Sequence, residues 1–290
     1  MQLKPDPCCP FYADRLELFR ETKSSVRGSK QHLLVGSDVA KDKHHASPHI
    51  FTGVKGTVLC ERTDMSDIFD GFPPAAVQFL RTLRENNSKG WFELHKQDYQ
   101  NNLLKPLQAL AAGLGPLMLS IDPDFTVTPA INKTISRIYR DTRFSRDKSP
   151  YKTSHWITFK RLRQEWKDYP AFFFEISPDS YRYGMGFYSA SRQTMDKFRT
   201  AVDRNPKAFL AATSFYPNNR TFTIEGEQYK RPLKAGISTE LQEWYNRKSL
   251  YLVSNHRIDA DRVDRKLIFD VQHGFEMLAP FYHYLGKVAT

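Results

Sequence analysis

Apolar residues recur at helical spacing in three long segments of the chain. These segments cover residues 72–83, 91–110 and 267–278, and each predicts a helix with one buried face. Shorter helices are predicted at residues 191–202 and 206–212. Helices therefore lie at both ends of the region from residue 66 to residue 290.

Proline, glycine and capping residues predict where these helices bend or end. Pro106 should kink or split the second helix and Pro280 should interrupt the last one, because proline lacks a backbone donor and clashes with the preceding turn. Gly113 and Gly115 should end the second helix. Thr239, with a glutamine three residues later, should cap a further helix.

Between the helical segments the pattern changes to short alternating or fully apolar runs, which are typical of strands. The predicted strands cover residues 134–140, 153–159, 171–177, 181–188, 221–224 and 249–253. Ser177-Pro178-Asp179-Ser180 predicts a tight hairpin turn between two of them. Hairpin-linked strands between helices favour an α+β domain over residues 66–290. Its mostly antiparallel sheet should pack with helices from both ends of the domain.

Residues 1–65 follow a different pattern. A polar stretch interrupts the helical spacing of residues 12–19, residues 32–39 read as one buried strand, and no period follows residue 46. We therefore expect residues 1–65 to form a separate, partly disordered piece that is functionally inert.

The strand in this piece, LLVGSDVAKDKHH, resembles the opening strand of DEDD-type insertion-sequence transposases. The resemblance covers residues 1–46 and implies that Asp38 stands at the first metal-binding position of such enzymes. Their chemistry needs several carboxylates to hold divalent metal ions. A single aspartate cannot do this, so we expect no metal-dependent nuclease activity.

Positive charge is concentrated in one part of the chain. The formal net charge is +11, and residues 133–163 contain ten Lys or Arg and two Asp, which is eight of those charges. Such a concentration favours an anionic partner, and the alternative is a basic surface that maintains solubility. With 40% hydrophobic and 13% aromatic residues, the chain has ample material for a core.

The three cysteines, Cys8, Cys9 and Cys60, fit neither a zinc site nor a disulfide framework. The first residues do not resemble a secretory signal, and no uninterrupted apolar run reaches the roughly 20 residues that span a membrane. We expect a cytoplasmic protein that is not inserted in a membrane and needs no cofactor.

The segment RIYRDTRFSRDKSPY, residues 137–151, combines this charge with regularly placed aromatic residues. In a regular strand Arg137 and Arg140 would point to opposite faces, so at least one of them should be structural. The following loop is freer to bind a ligand, because Arg offers a planar fork of donors to an oxyanion and Lys adds a point charge. The expected ligand-binding residues are Arg143, Arg146, Lys148, Tyr151 and Lys152.

A second set of residues in and near this segment is expected to support the structure. These residues are Arg137, Arg140, Asp141, Asp147, His155 and Glu175. Arg140 should pair with Asp141 or Glu175, and Asp147 with Arg143. Glu175 and His155 are alternative candidates for acid–base chemistry, although a structural partner and a satisfied core residue are the commoner roles. The surrounding arginines disfavour a metal ion, so we expect none.

Three functions remain open from these residues. The leading one is binding of a phosphorylated or carboxylated small molecule, with hydrolase or transferase chemistry assisted by Arg and Lys. Tyr139, Phe144, Tyr151 and Trp156 among the basic residues also suit a non-catalytic nucleic-acid-binding module. The third alternative is a protein-interaction domain whose arginines hold the fold.

The motif RxxRDxRFxxDKxPY at residues 137–151 resembles the signature of the bacterial family known as domain of unknown function 2461. Asn86-Asn87 with Trp91-Phe92, and Phe174-Glu175-Ile176 with two later glycines, are similar to other blocks of that family. The resemblance extends over residues 70–286. It implies a compact cytoplasmic α+β domain and no catalytic residue.

Overall fold

The computed structural model describes residues 68–162, 168–187, 189–217, 221–258 and 263–289. The transposase-like stretch with Asp38 lies outside these residues. The predicted division of the chain near residue 65 therefore stays a prediction.

We expect deletion of residues 1–65 to leave the thermal unfolding midpoint of the remaining domain unchanged within about 2 °C. The reason is that the two parts of the sequence have no common hydrophobic pattern. Differential scanning calorimetry of the full and shortened chains tests this. A fall of about 10 °C or more would show that the segment stabilises the domain.

Five strands form one antiparallel sheet in the order β1-β2-β3-β5-β4. The strands are β1 His155–Phe159, β2 Ala171–Ile176, β3 Ser180–Gly186, β4 Thr223–Glu225 and β5 Tyr251–Arg257. Ser177 N–H donates to the Ser180 carbonyl (2.8 Å) in the predicted hairpin turn between β2 and β3. The predicted α+β class with an antiparallel sheet is confirmed.

The strand predicted at residues 134–140 is wrong. This segment makes isolated bridges only, of Ile135 with Ile131 and Ile157 and of Tyr139 with Tyr151. Its backbone still runs beside β1, as Ser136 N–H donates to the Trp156 carbonyl (2.9 Å). The physical consequence is that the segment forms a rim beside the sheet instead of a sixth regular strand.

The described helices come before, between and after the strands along the chain. They are α1 Pro74–Glu85, α2 Lys89–Leu94, α3 Lys96–Asp98, α4 Lys105–Ile121, α5 Arg192–Arg204, α6 Pro206–Ala212, α7 Thr239–Tyr245 and α8 Leu267–Ala289, with a π-helix at Tyr99–Leu104 between α3 and α4. Ser238, and not Thr239, caps α7, because its hydroxyl accepts from Leu241 N–H.

The split predicted at Pro106 agrees with the structure, because a π-helix at Tyr99–Leu104 gives way to α4 just before this proline, which lies in the first turn of α4. Two other predicted interruptions are wrong. Gly113 and Gly115 lie inside α4, and a Cβ at Gly113 would be 2.5 Å from the Cδ1 atom of Ile268 in α8, so the Ile268 side chain would have to move if Gly113 were replaced. Helix α8 continues through Pro280 to Ala289.

The helices cover one face of the sheet. Rings from β2 and β3 meet α8 there, with Phe172 and Tyr183 at 4.9 and 6.3 Å from Phe275 between centroids. The opposite face carries Trp156, Phe173 and Tyr251, which are only partly buried. The core therefore lies between the sheet and the helices, and the other face of the sheet is available for a site.

The helical run Lys96–Ile121 is long and apolar enough to cross a membrane by length and composition, with a mean hydropathy of 1.2. The sequence analysis did not single it out. Leu107, Leu110, Leu114 and Met118 on this run are fully buried in the core. Packing within the domain thus accounts for its apolar character.

One buried ion pair joins three parts of the domain. Asp122, directly after α4, accepts a hydrogen bond from Arg161 Nε at 2.6 Å and another from the Tyr282 hydroxyl of α8. Burial opposes ionisation of Asp122, but these hydrogen bonds prevail and hold the pKa of its carboxyl below the usual range. The cluster ties the end of α4 to the segment after β1 and to α8.

Candidate functional site

The open face of the sheet and the segment at residues 132–137 enclose a cleft of ≈ 840 Å³. We call it the basic cleft. The residues that define it are Arg137, Lys152, Trp156, Lys160, Phe173, Arg182 and Tyr251. Its volume lies within the range of about 300–1,000 Å³ that is usual for small-molecule sites.

Aromatic rings from three strands form the floor of the basic cleft. The Trp156 and Phe173 centroids are 5.4 Å apart, and those of Phe173 and Tyr251 are 6.5 Å apart. Across the floor, β3 places Gly184 beside Phe173 and Gly186 beside Tyr251. A Cβ at Gly186 would lie 2.4 Å from the Tyr251 Cα, so the close approach of β3 and β5 requires glycine. The floor is therefore rich in rings and has no β3 side chains beside two of them.

Five cationic side chains line the basic cleft, namely Lys133, Arg137, Lys152, Lys160 and Arg182. The backbone N–H of Lys152 donates to the Ile138 carbonyl (2.7 Å), which places Lys152 beside the segment that carries Arg137. Lys152 and Lys160 are half-buried. Burial lowers the pKa of both ammonium groups, and the neighbouring Arg137 lowers that of Lys152 further. The cleft thus contains positive charge that is partly removed from water.

Glu175 is a buried carboxylate on this face of the sheet, and Arg182 of β3 pairs with it. Arg182 Nε donates to Glu175 Oε2, and the Arg182 guanidinium also lies 5.2 Å from the Trp156 ring centroid. The predicted pairing of Arg140 with Glu175 is therefore wrong. The reason is register, because Glu175 and Arg182 are directly opposite each other in the β2–β3 hairpin.

The pairs predicted within the signature are also exchanged. Arg143 donates from Nε and Nη2 to the two Asp141 oxygens, at 2.9 and 2.6 Å, and these hydrogen bonds lower the Asp141 pKa to about 2. Arg140 pairs instead with Asp147. The short spacing between Asp141 and Arg143 favours a local pair, since Asp141 also accepts from the Arg143 backbone N–H. These arginines shape the loop.

The structure separates the residues predicted to bind the ligand. Arg143, Arg146 and Lys148 are exposed on the loop, and the Lys148 ammonium donates to the Thr142 carbonyl at 2.9 Å. Lys152 lies in the basic cleft together with Arg137, which the sequence had placed in the structural set.

Tyr151 is a core residue rather than an exposed binding group. Its ring is 2% exposed and stacks on Phe92 at 4.3 Å between centroids. The Asn87 side chain holds its backbone, donating to the Tyr151 carbonyl (2.9 Å) and accepting from its N–H (3.0 Å). This clamp fixes the start of the segment that presents Lys152, so we do not include Tyr151 among the proposed ligand contacts.

His155 lies on the other side of β1 from the cleft and is fully buried. Neither ring nitrogen has a hydrogen-bond partner among the described residues, and the nearby Tyr99 hydroxyl is in the same condition. Burial, with a contribution from Lys152, lowers the His155 pKa to about 3. The imidazole is therefore neutral near pH 7, and it is a core residue without the hydrogen bonds that the sequence analysis expected.

Lys160, Phe173, Arg182 and Tyr251 were not among the predicted site residues. The alternation of buried and partly buried residues along β1 could have indicated Lys160. Trp156, Thr158 and Lys160 lie on the face of this strand opposite its apolar residues. The pattern predicts β1 and β2 as short strands but does not show which face of each strand is open. No local pattern indicates that Tyr251 from β5 lies beside Phe173.

A second groove, of ≈ 910 Å³, lies between α5, α6 and the last turns of α8. Its charged lining is mixed, with Asp196, Lys197 and Lys287. Asp196 is already paired with Arg199 at 2.7 Å. The basic cleft is the stronger candidate because its cations face a ring-lined floor.

The model of the family described as Conserved hypothetical protein (DUF2461) matches residues 75–284. A search of curated proteins gives no match to the chain. The matched range contains the whole basic cleft and the signature at residues 137–151. We call the exposed middle of this motif, around Arg143 and Lys148, the signature loop.

Proposed function

The chain belongs to the family of conserved hypothetical proteins DUF2461, and we propose that its basic cleft binds a small anionic ligand. The ligand carries a phosphate or carboxylate group and a planar, unsaturated part. The family description assigns no reaction, so the proposal rests on the chemistry of the cleft.

The observation that carries the proposal is the pair Arg137 and Lys152. Neither side chain makes a salt bridge or hydrogen bond with a described residue, whereas Arg140, Arg143 and Arg182 each have a carboxylate partner. Arg137 is exposed and helps to lower the Asp141 pKa, and Lys152 is half-buried beside it. The two like charges repel each other, and an anion between them would reduce that repulsion. Arg137 supplies a fork of donors for an oxyanion and Lys152 a point charge.

The floor supports the planar part of the ligand. Trp156, Phe173 and Tyr251 present ring surface on a sheet face that no described helix covers. Stacking on such rings contributes about 1–3 kcal/mol for a nucleobase and depends little on its identity. A ligand with both a charged group and a planar ring would therefore use both parts of the cleft.

Isothermal titration calorimetry with pyrophosphate and with adenosine monophosphate as probes tests this proposal. Arg137→Gln should weaken binding of either probe about 10- to 100-fold, since hydrogen bonds to charged groups contribute about 1.5–3 kcal/mol. Trp156→Ala should weaken adenosine monophosphate binding and leave pyrophosphate binding unchanged.

Arg143→Gln is the matched control. Arg143 is 76% exposed, lies in the same basic segment and is paired with Asp141, so its replacement should change neither affinity. The proposal fails if Arg143→Gln removes binding while Arg137→Gln retains it, or if neither probe binds the unaltered protein at low salt.

The signature loop gives a reason to keep nucleic-acid binding as a second candidate. Phe144 is 94% exposed and Tyr139 51% exposed, and the Arg143 guanidinium lies 5.7 Å from the Phe144 ring centroid. Exposed rings among basic residues suit stacking of single-stranded bases. Binding of a single-stranded oligonucleotide that depends on salt and is lost in Phe144→Ala would support this candidate, and unchanged binding in that variant would exclude the loop.

A further inference from the structure

Lys152 differs from the other lysine of the signature in its surroundings. It is half-buried in the basic cleft, and its ammonium has no hydrogen-bond or ion-pair partner in the part of the chain that the structure describes. Lys148 is exposed, and its ammonium donates to the Thr142 carbonyl. The same residue type thus occurs in a desolvated and in a solvated setting four positions apart.

The charged groups around Lys152 do not stabilise an ammonium ion. Arg137 beside it is positive, and Lys160 adds a second positive charge to the same cleft. His155, on the buried side of β1, is neutral. The carboxylates of the neighbouring elements have other partners, as Asp141 is held by Arg143 and Glu175 by Arg182.

Such an environment increases the fraction of Lys152 that is present as the neutral amine. Burial and like charges both penalise the protonated form, and only the neutral amine has the lone pair that attacks an electrophile. Desolvation next to another cation is a general way in which proteins activate a lysine nucleophile. The lowered pKa of Lys152 agrees with this geometry.

We infer that Lys152 is a nucleophile that forms an imine with a carbonyl group of the anionic ligand. The inference rests on the proposed function, because the anionic group held by Arg137 and Lys160 would bring the carbonyl to the amine. The substrate class is then a small aldehyde or ketone that bears a phosphate or carboxylate. A conjugated carbonyl would also place its planar part over Trp156.

The reaction balances without an oxidant or a further reactant. The Lys152 nitrogen donates its lone pair to the carbonyl carbon, the C=O π pair moves to oxygen, and a proton passes from nitrogen to that oxygen. The carbinolamine then loses water, and the nitrogen lone pair forms the C=N bond. One amine and one carbonyl give one imine and one water.

Pyridoxal 5′-phosphate is a suitable probe because it combines an aromatic aldehyde with a phosphate. The full chain is incubated with the probe near pH 7, reduced with borohydride and analysed by peptide mass spectrometry. We expect Lys152 to be the main site of modification, well above Lys148, because Lys152 is half-buried and has no partner among the described residues, whereas the exposed Lys148 ammonium donates to the Thr142 carbonyl. Pyrophosphate should compete for this modification.

Lys152→Arg removes the primary amine that forms the imine and keeps a positive charge in the cleft. This variant should lose the modification, and Lys148→Arg should retain it. Modification spread over the exposed lysines, or concentrated at Lys160, with pyrophosphate still bound would overturn the inference and leave the proposed function in place. If pyrophosphate neither binds nor competes, the proposed function itself fails, and the inference with it.

Discussion

Asp122→Ala should lower the free energy of unfolding by about 3–5 kcal/mol, the usual cost of breaking a buried ion pair by removing one partner. The Asp122 side chain is 2% exposed and accepts from Arg161 Nε at 2.6 Å, from the Tyr282 hydroxyl and from Asp124 N–H at 3.0 Å. Its removal leaves the Tyr282 hydroxyl without this acceptor, and Arg161 keeps the longer contact with the exposed Asp124 carboxylate, at 3.6 Å. Urea denaturation measures the change, and the unfolding midpoint should fall by about 10 °C.

Asp179→Ala is the control for this effect. Asp179 also pairs with an arginine, Arg84, at 2.5 Å, but its side chain is 62% exposed. Exposed pairs contribute about 0–1 kcal/mol because water screens them, so this variant should be nearly as stable as the unaltered protein. Equal losses in the two variants would show that burial of the Asp122 cluster has no special importance.

His155→Phe should raise the free energy of unfolding and make that free energy fall less steeply as the pH is lowered. In the folded protein the His155 pKa is lowered to about 3, whereas an unfolded histidine titrates near 6.5. Between these pH values the unfolded chain binds a proton that the folded chain excludes. Stability contributed by the neutral imidazole is therefore complete above about pH 6.5 and falls by up to about 1.4 kcal/mol for each pH unit towards 3.

The phenylalanine variant has no such proton to bind, and it also removes two buried nitrogens that lack partners among the described residues. We expect its unfolding free energy at pH 7 to be higher by about 1–3 kcal/mol. Urea titrations between pH 4 and 8 give both quantities. His273→Gln, at an exposed position of α8, should leave the curve unchanged, and the prediction is wrong if His155→Phe loses stability in acid as steeply as the unaltered protein.

Hydrophobic periodicity was enough to predict most of the fold. The runs at residues 171–177 and 181–188, with their hairpin turn, correspond to β2 and β3. Local signals failed where packing overrode them. Gly113 lies inside α4, one face of which packs in the core, and Pro280 lies at an exposed position of α8, whose other face is buried.

The candidate site was harder to predict, because charged residues that are close together in the sequence need not converge in the folded protein. Arg143 and Lys148 belong to the most basic stretch, yet both bind within their own loop. Arg143 pairs with Asp141, and the Lys148 ammonium donates to the Thr142 carbonyl. Arg182 and Tyr251 come from strands far along the chain, and only sheet pairing brings them to the cleft. Of the predicted binding residues, Lys152 alone lines the basic cleft.

The signature therefore has two parts with different physical roles. Arg140 with Asp147, and Arg143 with Asp141, fix the loop. Arg137 and Lys152, at or just beyond the ends of the motif, face the cleft. The loop pairs lie between these two cations along the chain and fix the segment that connects them.

A crystal soaked in tungstate tests the central proposal most directly, because tungstate resembles phosphate and its anomalous scattering identifies its position. The proposal predicts a peak in the basic cleft, within hydrogen-bond distance of Arg137 and of Lys152 or Lys160, that is absent from Arg137→Gln crystals. A peak at Arg143 and Lys148 on the signature loop, with no peak in the cleft, would contradict it.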